Sequence, residues 1–191
     1  MDQYKNKNYL PIINFSTNRD IQATEFREKL ISKINALIKE NLDLDEKYES
    51  AISYLISEMS DNIIEHSGVE NGWLSMQYYP TTQYSDLCII DTGKTILGSY
   101  QDHDFKNIDN DEKALKAAID GISTKDLGRG SGIRTTKAIA SIGLSGDFLI
   151  YSGGTIYYRN RIINLNTDWH GTIIAIRIKK GIQNFSLYNY V

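Results

Sequence analysis

The chain has 191 residues, 41% hydrophobic and 24% charged, with 21 Lys+Arg against 24 Asp+Glu for a formal net charge of −3. That is enough chain for one domain burying roughly 70% of its unfolded surface, and the composition excludes wholesale disorder. The near-neutral balance, with a sequence pI of about 5.6, lacks the basic field of a dedicated nucleic-acid binder, and a lone cysteine, Cys88, excludes an internal disulfide or a cysteine-built zinc site.

The opening residues, MDQYKNKNYL, lack the apolar run of a signal peptide. No later segment approaches the ~18 apolar residues of a membrane span, so the expectation is one soluble, cytoplasmic domain over 1–191. Leu10–Phe15 reads as a short strand. Phe26, Leu30, Ile34, Leu37 and Ile38 recur at helical spacing from Thr24 to Glu40. This leading strand and helix, within 1–45, count as part of the domain. A second helix follows from Tyr48 to His66, with Ile52, Leu55, Ile56, Met59 and Ile63 on one face and Ser67-Gly68 closing it.

The period then changes to two. Trp73–Tyr79 and Asp86–Asp91 read as strands, and Gly98–Asn110, polar and acidic, as a loop. Glu112–Asp120 is helical by propensity, Gly121–Gly132 is a glycine-rich loop, and Ile133–Ile142 is helical again. Gly153-Gly154 lies between two β-rich runs, Asp147–Ser152 and Thr155–Asn160, and signals a hairpin turn. Ile162–Asn164 and Thr172–Ile178 complete the β-rich end. Without regular βαβ alternation, the fold class is α+β: a two-layer sandwich with helices on one face of a mixed, mostly antiparallel sheet.

Gly93-Lys94-Thr95 imitates the end of a phosphate-binding P-loop, but the first glycine of that motif would fall on Cys88, so the motif fails. Gly128-Arg129-Gly130-Ser131-Gly132 is not a dinucleotide fingerprint either. It reads either as an exposed turn or, with unobstructed amides ahead of a helix and with Lys125 and Arg129 nearby, as an anion site suited to phosphates. On the second helix Glu58, Asp61, Asn62 and Glu65 share one face without a compensating cation. That face is either simply solvated or an oxygen-rich seat for a hard divalent ion. Asp91, at the mouth of an apolar strand with Gly93 two residues on, is either a turn residue or an acceptor facing a pocket. Gly171-Thr172 carries the same two alternatives. Cys88, in an apolar run, reads as a small buried residue.

The order of these pieces resembles a known superfamily. Glu58-x-x-x-Asn62 on a helix, then Asp91-x-Gly93, then Gly128-x-Gly130-x-Gly132, then Gly171-Thr172, is similar to the GHKL ATPases, the group of DNA gyrase and the histidine kinases, with their Bergerat ATP-binding fold. The resemblance spans Ile52 to Ile178, and the leading strand and helix look most like the small anti-sigma-factor serine kinases. It implies ATP and Mg²⁺ as cofactors. By this resemblance Glu58 would be the general base and Asn62 the Mg²⁺ ligand. Asp91 would accept the adenine amino group, Gly93 would floor the base pocket, and Thr172 would bond at its back. Residues 121–132 would form the ATP lid, with Gly128, Gly130 and Gly132 around the phosphates and Lys125 or Arg129 near the γ-phosphate. The implied function is a regulatory protein serine/threonine kinase, or an anti-sigma-factor-like switch, acting on a partner protein of the sigma or anti-anti-sigma kind. A nucleotide-gated binding module or a dimerising ATPase without protein phosphorylation is the alternative. Neither nucleic acid nor membrane is an expected partner, and a homodimer is left open. One departure stands out: the superfamily usually carries glycine where this chain has Thr95, which would narrow the base pocket or alter the loop.

Overall fold

A computed structural model describes residues 8–42, 46–124, 132–180 and 185–190. The chain begins with β1 (Tyr9–Ser16) and a helical pair, α1 (Ile21–Leu42) and α2 (Glu46–Asn62). The apolar stripes read from the sequence are the contact surfaces of both helices. Leu30, Ile34, Leu37 and Ile38 of α1 and Ile52, Leu55, Ile56 and Met59 of α2 are all buried in one core. The second helix does not run as one α-helix to His66. It ends at Asn62 and continues as a π-turn, Ile63–Ser67, before Gly68 stops it in the left-handed region at φ 69°. Ser67 Oγ satisfies the Ile63 carbonyl at 2.5 Å within that wide turn.

Two helices between strands return the chain in the opposite sense, so β2 (Asn71–Tyr79) pairs antiparallel with β1, with Leu74 facing Ile13 and Trp73 facing Asn14. A turn after Pro80 leads to β3 (Tyr84–Ile90), again antiparallel. Three helices follow: α3 (Ile96–Asp102), α4 (Asp111–Asp120) and α5 (Gly132–Ala138), the last continued by a π-turn, Ile139–Gly143. The stretch 98–110, expected as a loop, is therefore partly helical. Thr95 caps α3 by accepting the Gly98 amide at 3.1 Å, and Asn110 caps α4 by accepting the Lys113 amide at 2.9 Å.

The sheet closes with β4 (Asp147–Tyr158) and β5 (Arg161–Lys179), giving the order β1-β2-β3-β5-β4. The sheet expected to be mixed and mostly antiparallel is antiparallel in all four pairings. The three intervening helices leave β4 running in the same direction as β3, but β5 inserts between them and no parallel neighbours touch. The two short runs at the β-rich end are parts of one strand, β5.

The hairpin turn also moves. Arg159 and Asn160, at φ 47° and 61°, join Tyr158 to Arg161, so the turn lies there and not at Gly153-Gly154. Two successive residues with positive φ match the twist of flanking strands, a demand that Asn meets well. Gly153-Gly154 is instead an irregularity inside β4. Gly153 has φ +57°, and the Asp111 carboxylate packs against it and accepts the Gly154 amide at 3.1 Å.

Burial alternates along the inner strands, and one face supplies the core: Leu74 and Met76, Leu87 and Ile89, Phe148 and Ile150, Ile174 and Ile176. Ser75, Cys88, Ala175 and Leu149 line up in register on the opposite, half-buried face. Cys88 is thus half-buried rather than buried, and its thiol is pushed up to about 11 chiefly by partial burial. The architecture is α+β, with helices packed on one face of a five-stranded antiparallel sheet. Among the described residues no helix is long and apolar enough to cross a membrane.

The displaced turn separates two glycines that look equivalent in sequence. Alanine at Gly153 would place its Cβ 2.3 Å from the Asp111 carboxylate at φ +57°, whereas at Gly154 the nearest atom is the mobile end of Asp168 at 2.9 Å. Gly153→Ala is expected to cost about 1–3 kcal/mol and Gly154→Ala clearly less, as measured by urea denaturation. Equal losses at both would contradict this placement.

Candidate functional site

The site is built where three distant segments meet beyond the end of β3. Gly93 rests on the end of the π-turn after α2, where a Cβ would fall 2.1 Å from the Ser67 carbonyl oxygen, so only glycine fits. The next amide, Lys94 N–H, donates to that carbonyl at 2.8 Å. From the other side Gly171, at φ +121°, leaves no space for a side chain, since its Cβ would lie 2.3 Å from the Asp91 carbonyl oxygen.

Asp91 sits in this junction, only 3% exposed. Its Oδ1 accepts the Gly93 amide at 2.8 Å and its own amide donates to the Thr172 carbonyl at 2.9 Å. Trp169 Nε1 donates to the Asp91 carbonyl at 3.0 Å. Desolvation raises the carboxyl from 3.8 to about 6, partly offset by the Gly93 and Thr172 backbone groups and the charge of His170. Ser152 ties the wall together: its hydroxyl donates to the Gly171 carbonyl at 2.8 Å and accepts the Ile96 amide at 2.9 Å. Thr95, which departs from the expected glycine, both caps α3 and lines the pocket.

Asp91 and Thr172 line a pocket together with Asn62, His66, Lys94 and Ser99. Glu58 and Asn62 lie one turn apart on α2, facing away from its apolar stripe. The first residue of α5 comes directly against them. A Cβ at Gly132 would fall 2.8 Å from Glu58 Oε2 and 3.5 and 3.6 Å from Asn62 Nδ2 and Oδ1. The Tyr54 hydroxyl, one turn earlier on α2, hydrogen-bonds Glu58, and burial together with that carboxylate raises its pKa. Asn62 Nδ2 is buried without a hydrogen-bond partner among the described residues. Side-chain amides in that state are unusual in folded proteins, and this one borders the pocket.

Of the residues singled out in the sequence, Asn62, Asp91 and Thr172 line the pocket itself. Gly93 and Gly132 are in the backbone around it, and Glu58 is reached through Gly132. Lys125, Gly128, Arg129 and Gly130 lie outside the described residues. Tyr54, Ser152 and Trp169 belong to none of the sequence motifs. The spacing of Tyr54 and Glu58 was available, but the other two join the site only through contacts between distant strands. No group of three or more His, Cys, Asp or Glu side chains able to hold a metal ion occurs among the described residues. An ion held here would use the Asn62 amide oxygen and oxygens brought by a ligand, a mode suited to Mg²⁺.

No protein-family model matches the chain, and no curated protein matches it in sequence.

The buried Asp91 gives a signed pH prediction. A carboxyl raised from 3.8 to about 6 supports the fold fully below the lower value, and that support is lost as pH rises through about 6. Asp91→Asn is therefore expected to be more stable than the wild type near pH 8, by up to about 3 kcal/mol, and to lose that advantage near pH 4. Thermal melts across this range check it, and an advantage independent of pH would contradict it.

Proposed function

We propose that the chain is an ATP- and Mg²⁺-binding domain of the GHKL type with a Bergerat fold, acting as a regulatory protein serine/threonine kinase or anti-sigma-factor-like switch on a partner protein. The observation that carries this reading is the meeting of Gly132 with Glu58 and Asn62, the last of which lines the same pocket as the buried Asp91. Asn62, Asp91 and Thr172, from three of the four sequence motifs, line one cavity, and Gly132, the described end of the fourth, lies against Glu58 and Asn62.

Asp91 lines the pocket with its Oδ1 held by the Gly93 amide, and a carboxylate acceptor there suits an exocyclic amino group. Thr172 lines the same pocket. Asn62 would supply a neutral oxygen to Mg²⁺, and its buried amide nitrogen, without a partner among the described residues, fits a group that meets its partner only on ligand binding. Bound Mg·ATP supplies the transferable phosphoryl group and the charge neutralisation that such transfers require. Glu58, oriented by Tyr54, is placed to accept the proton of an attacking hydroxyl. Lys125, Gly128, Arg129 and Gly130 complete the lid in this reading.

Calorimetric titration with Mg·ATP tests the assignment. The wild type is expected to bind, and Asn62→Ala to weaken binding about tenfold or more, about 1.4 kcal/mol. Glu58→Gln is expected to keep nucleotide affinity while phosphate transfer to partner or water falls about 10²–10⁴-fold. No heat with the wild type, or unchanged affinity in Asn62→Ala, overturns the reading. Transfer unaffected by Glu58→Gln removes Glu58 as the base, whereas nucleotide binding with no transfer by the wild type would favour a nucleotide-gated binding module.

A further inference from the structure

One pocket residue has no part in the roles assigned above. Lys94 follows Gly93, and its backbone is pinned to the π-turn by the 2.8 Å bond from its amide to the Ser67 carbonyl. Its stem passes over Gly68, with Cε 3.6 Å from where a Cβ there would stand, and lines the same pocket as Asn62 and Asp91. Only the ammonium is committed elsewhere, in an ion pair with Asp102 in the last turn of α3.

That pair is built to be exchanged. Both side chains are about half exposed, at 51% and 49%, and ion pairs in water contribute little. The four-carbon stem rotates freely about a fixed root. The pair is not needed to hold α3, which already has its Thr95 cap, the Ile96–Ser152 bond and the buried Tyr100. Among the described residues lining the pocket, the other cationic candidate is His66, whose Nδ1 lies 3.4 Å from Ser99 Oγ and whose Nε2 lies 3.9 Å from Glu65. Lys94 is thus the one permanent positive charge among those residues. Asp102, in the last turn of α3 where no basic residue stands, competes with a bound anion for the same ammonium.

We infer that Lys94 is an exchangeable anion contact, whose ammonium leaves Asp102 and turns onto the phosphates of a bound nucleotide. The inference rests on the nucleotide reading of the pocket and adds a specificity residue to it: Lys94 favours nucleotides carrying phosphates over the bare nucleoside, and Asp102 sets the threshold for that preference.

Mg·ATP, ADP and adenosine are titrated calorimetrically into the wild type, Lys94→Met and Asp102→Asn, with melting curves taken without ligand. Lys94→Met is expected to weaken ATP about tenfold and to leave adenosine nearly unchanged. Asp102→Asn, by freeing the ammonium, is expected to tighten ATP by roughly threefold. Wild-type ATP affinity in Lys94→Met overturns the inference. So does an Asp102→Asn that weakens ATP as Lys94→Met does, since the pair would then be a pin for α3. Should Lys94→Met fold poorly, the sign of the Asp102→Asn effect decides alone. Wild-type protein that binds neither ATP nor adenosine sinks the nucleotide reading and this inference together, whereas binding indifferent to both variants sinks only the latter.

Discussion

The close approach of three backbone segments beyond β3 governs this protein. The Ser67 carbonyl, the Gly93 Cα and the Gly171–Asp91 contact leave no room for a side chain at either glycine. This contact sets where α2 ends relative to the sheet and therefore where Glu58 and Asn62 stand relative to Asp91. It also explains why a carboxylate is tolerated so deep in the junction. The Gly93 amide, held in place by the same backbone approach, donates to the carboxylate and offsets part of the cost of burying it, while the Trp169 indole and the Thr172 carbonyl anchor the Asp91 backbone.

The second helix divides its duties by face. Ile52, Leu55, Ile56 and Met59 are buried in the main core, where truncation of such side chains costs about 2–5 kcal/mol. The opposite face carries Glu58 and Asn62, with Tyr54 partly buried against the same core. A second apolar cluster, Tyr100, Ile108, Ala114, Ala117 and Ala118, walls the pocket from the side of α3 and α4. The cleft lies where the two clusters meet, and Ile96 and Ile133 pack against both.

Much of this was legible in the chain itself, because periodicity reports burial directly. The stripes of α1 and α2, the alternation of β2 and the i,i+4 placement of Glu58 and Asn62 all follow from local spacing. What escaped depended on partners far away in sequence. The start of α3 relies on Ser152, 56 residues distant from Ile96, and nothing in a polar stretch announces it. The glycine pair misled because glycine marks both turns and irregular strands. Only the Asp111 carboxylate against Gly153 distinguishes the two uses, and that contact spans two elements. Trp169 reaches Asp91 across 78 residues, a link no motif spacing contains.

The π-turn at Ile63–Ser67 makes this region sensitive to the number of its residues more than to their identity. A π-turn accommodates one residue more than an α-turn, and each helical residue rotates the chain by about 100°. Removing a single residue would return the segment to ordinary helical winding and swing the Ser67 carbonyl away from Gly93 and Lys94. Side chains at Ile64 and Glu65 can vary without touching that contact, but a one-residue insertion or deletion would uncouple the polar face of α2 from the pocket. Related sequences compared across this turn would therefore be expected to diverge in composition while conserving its length.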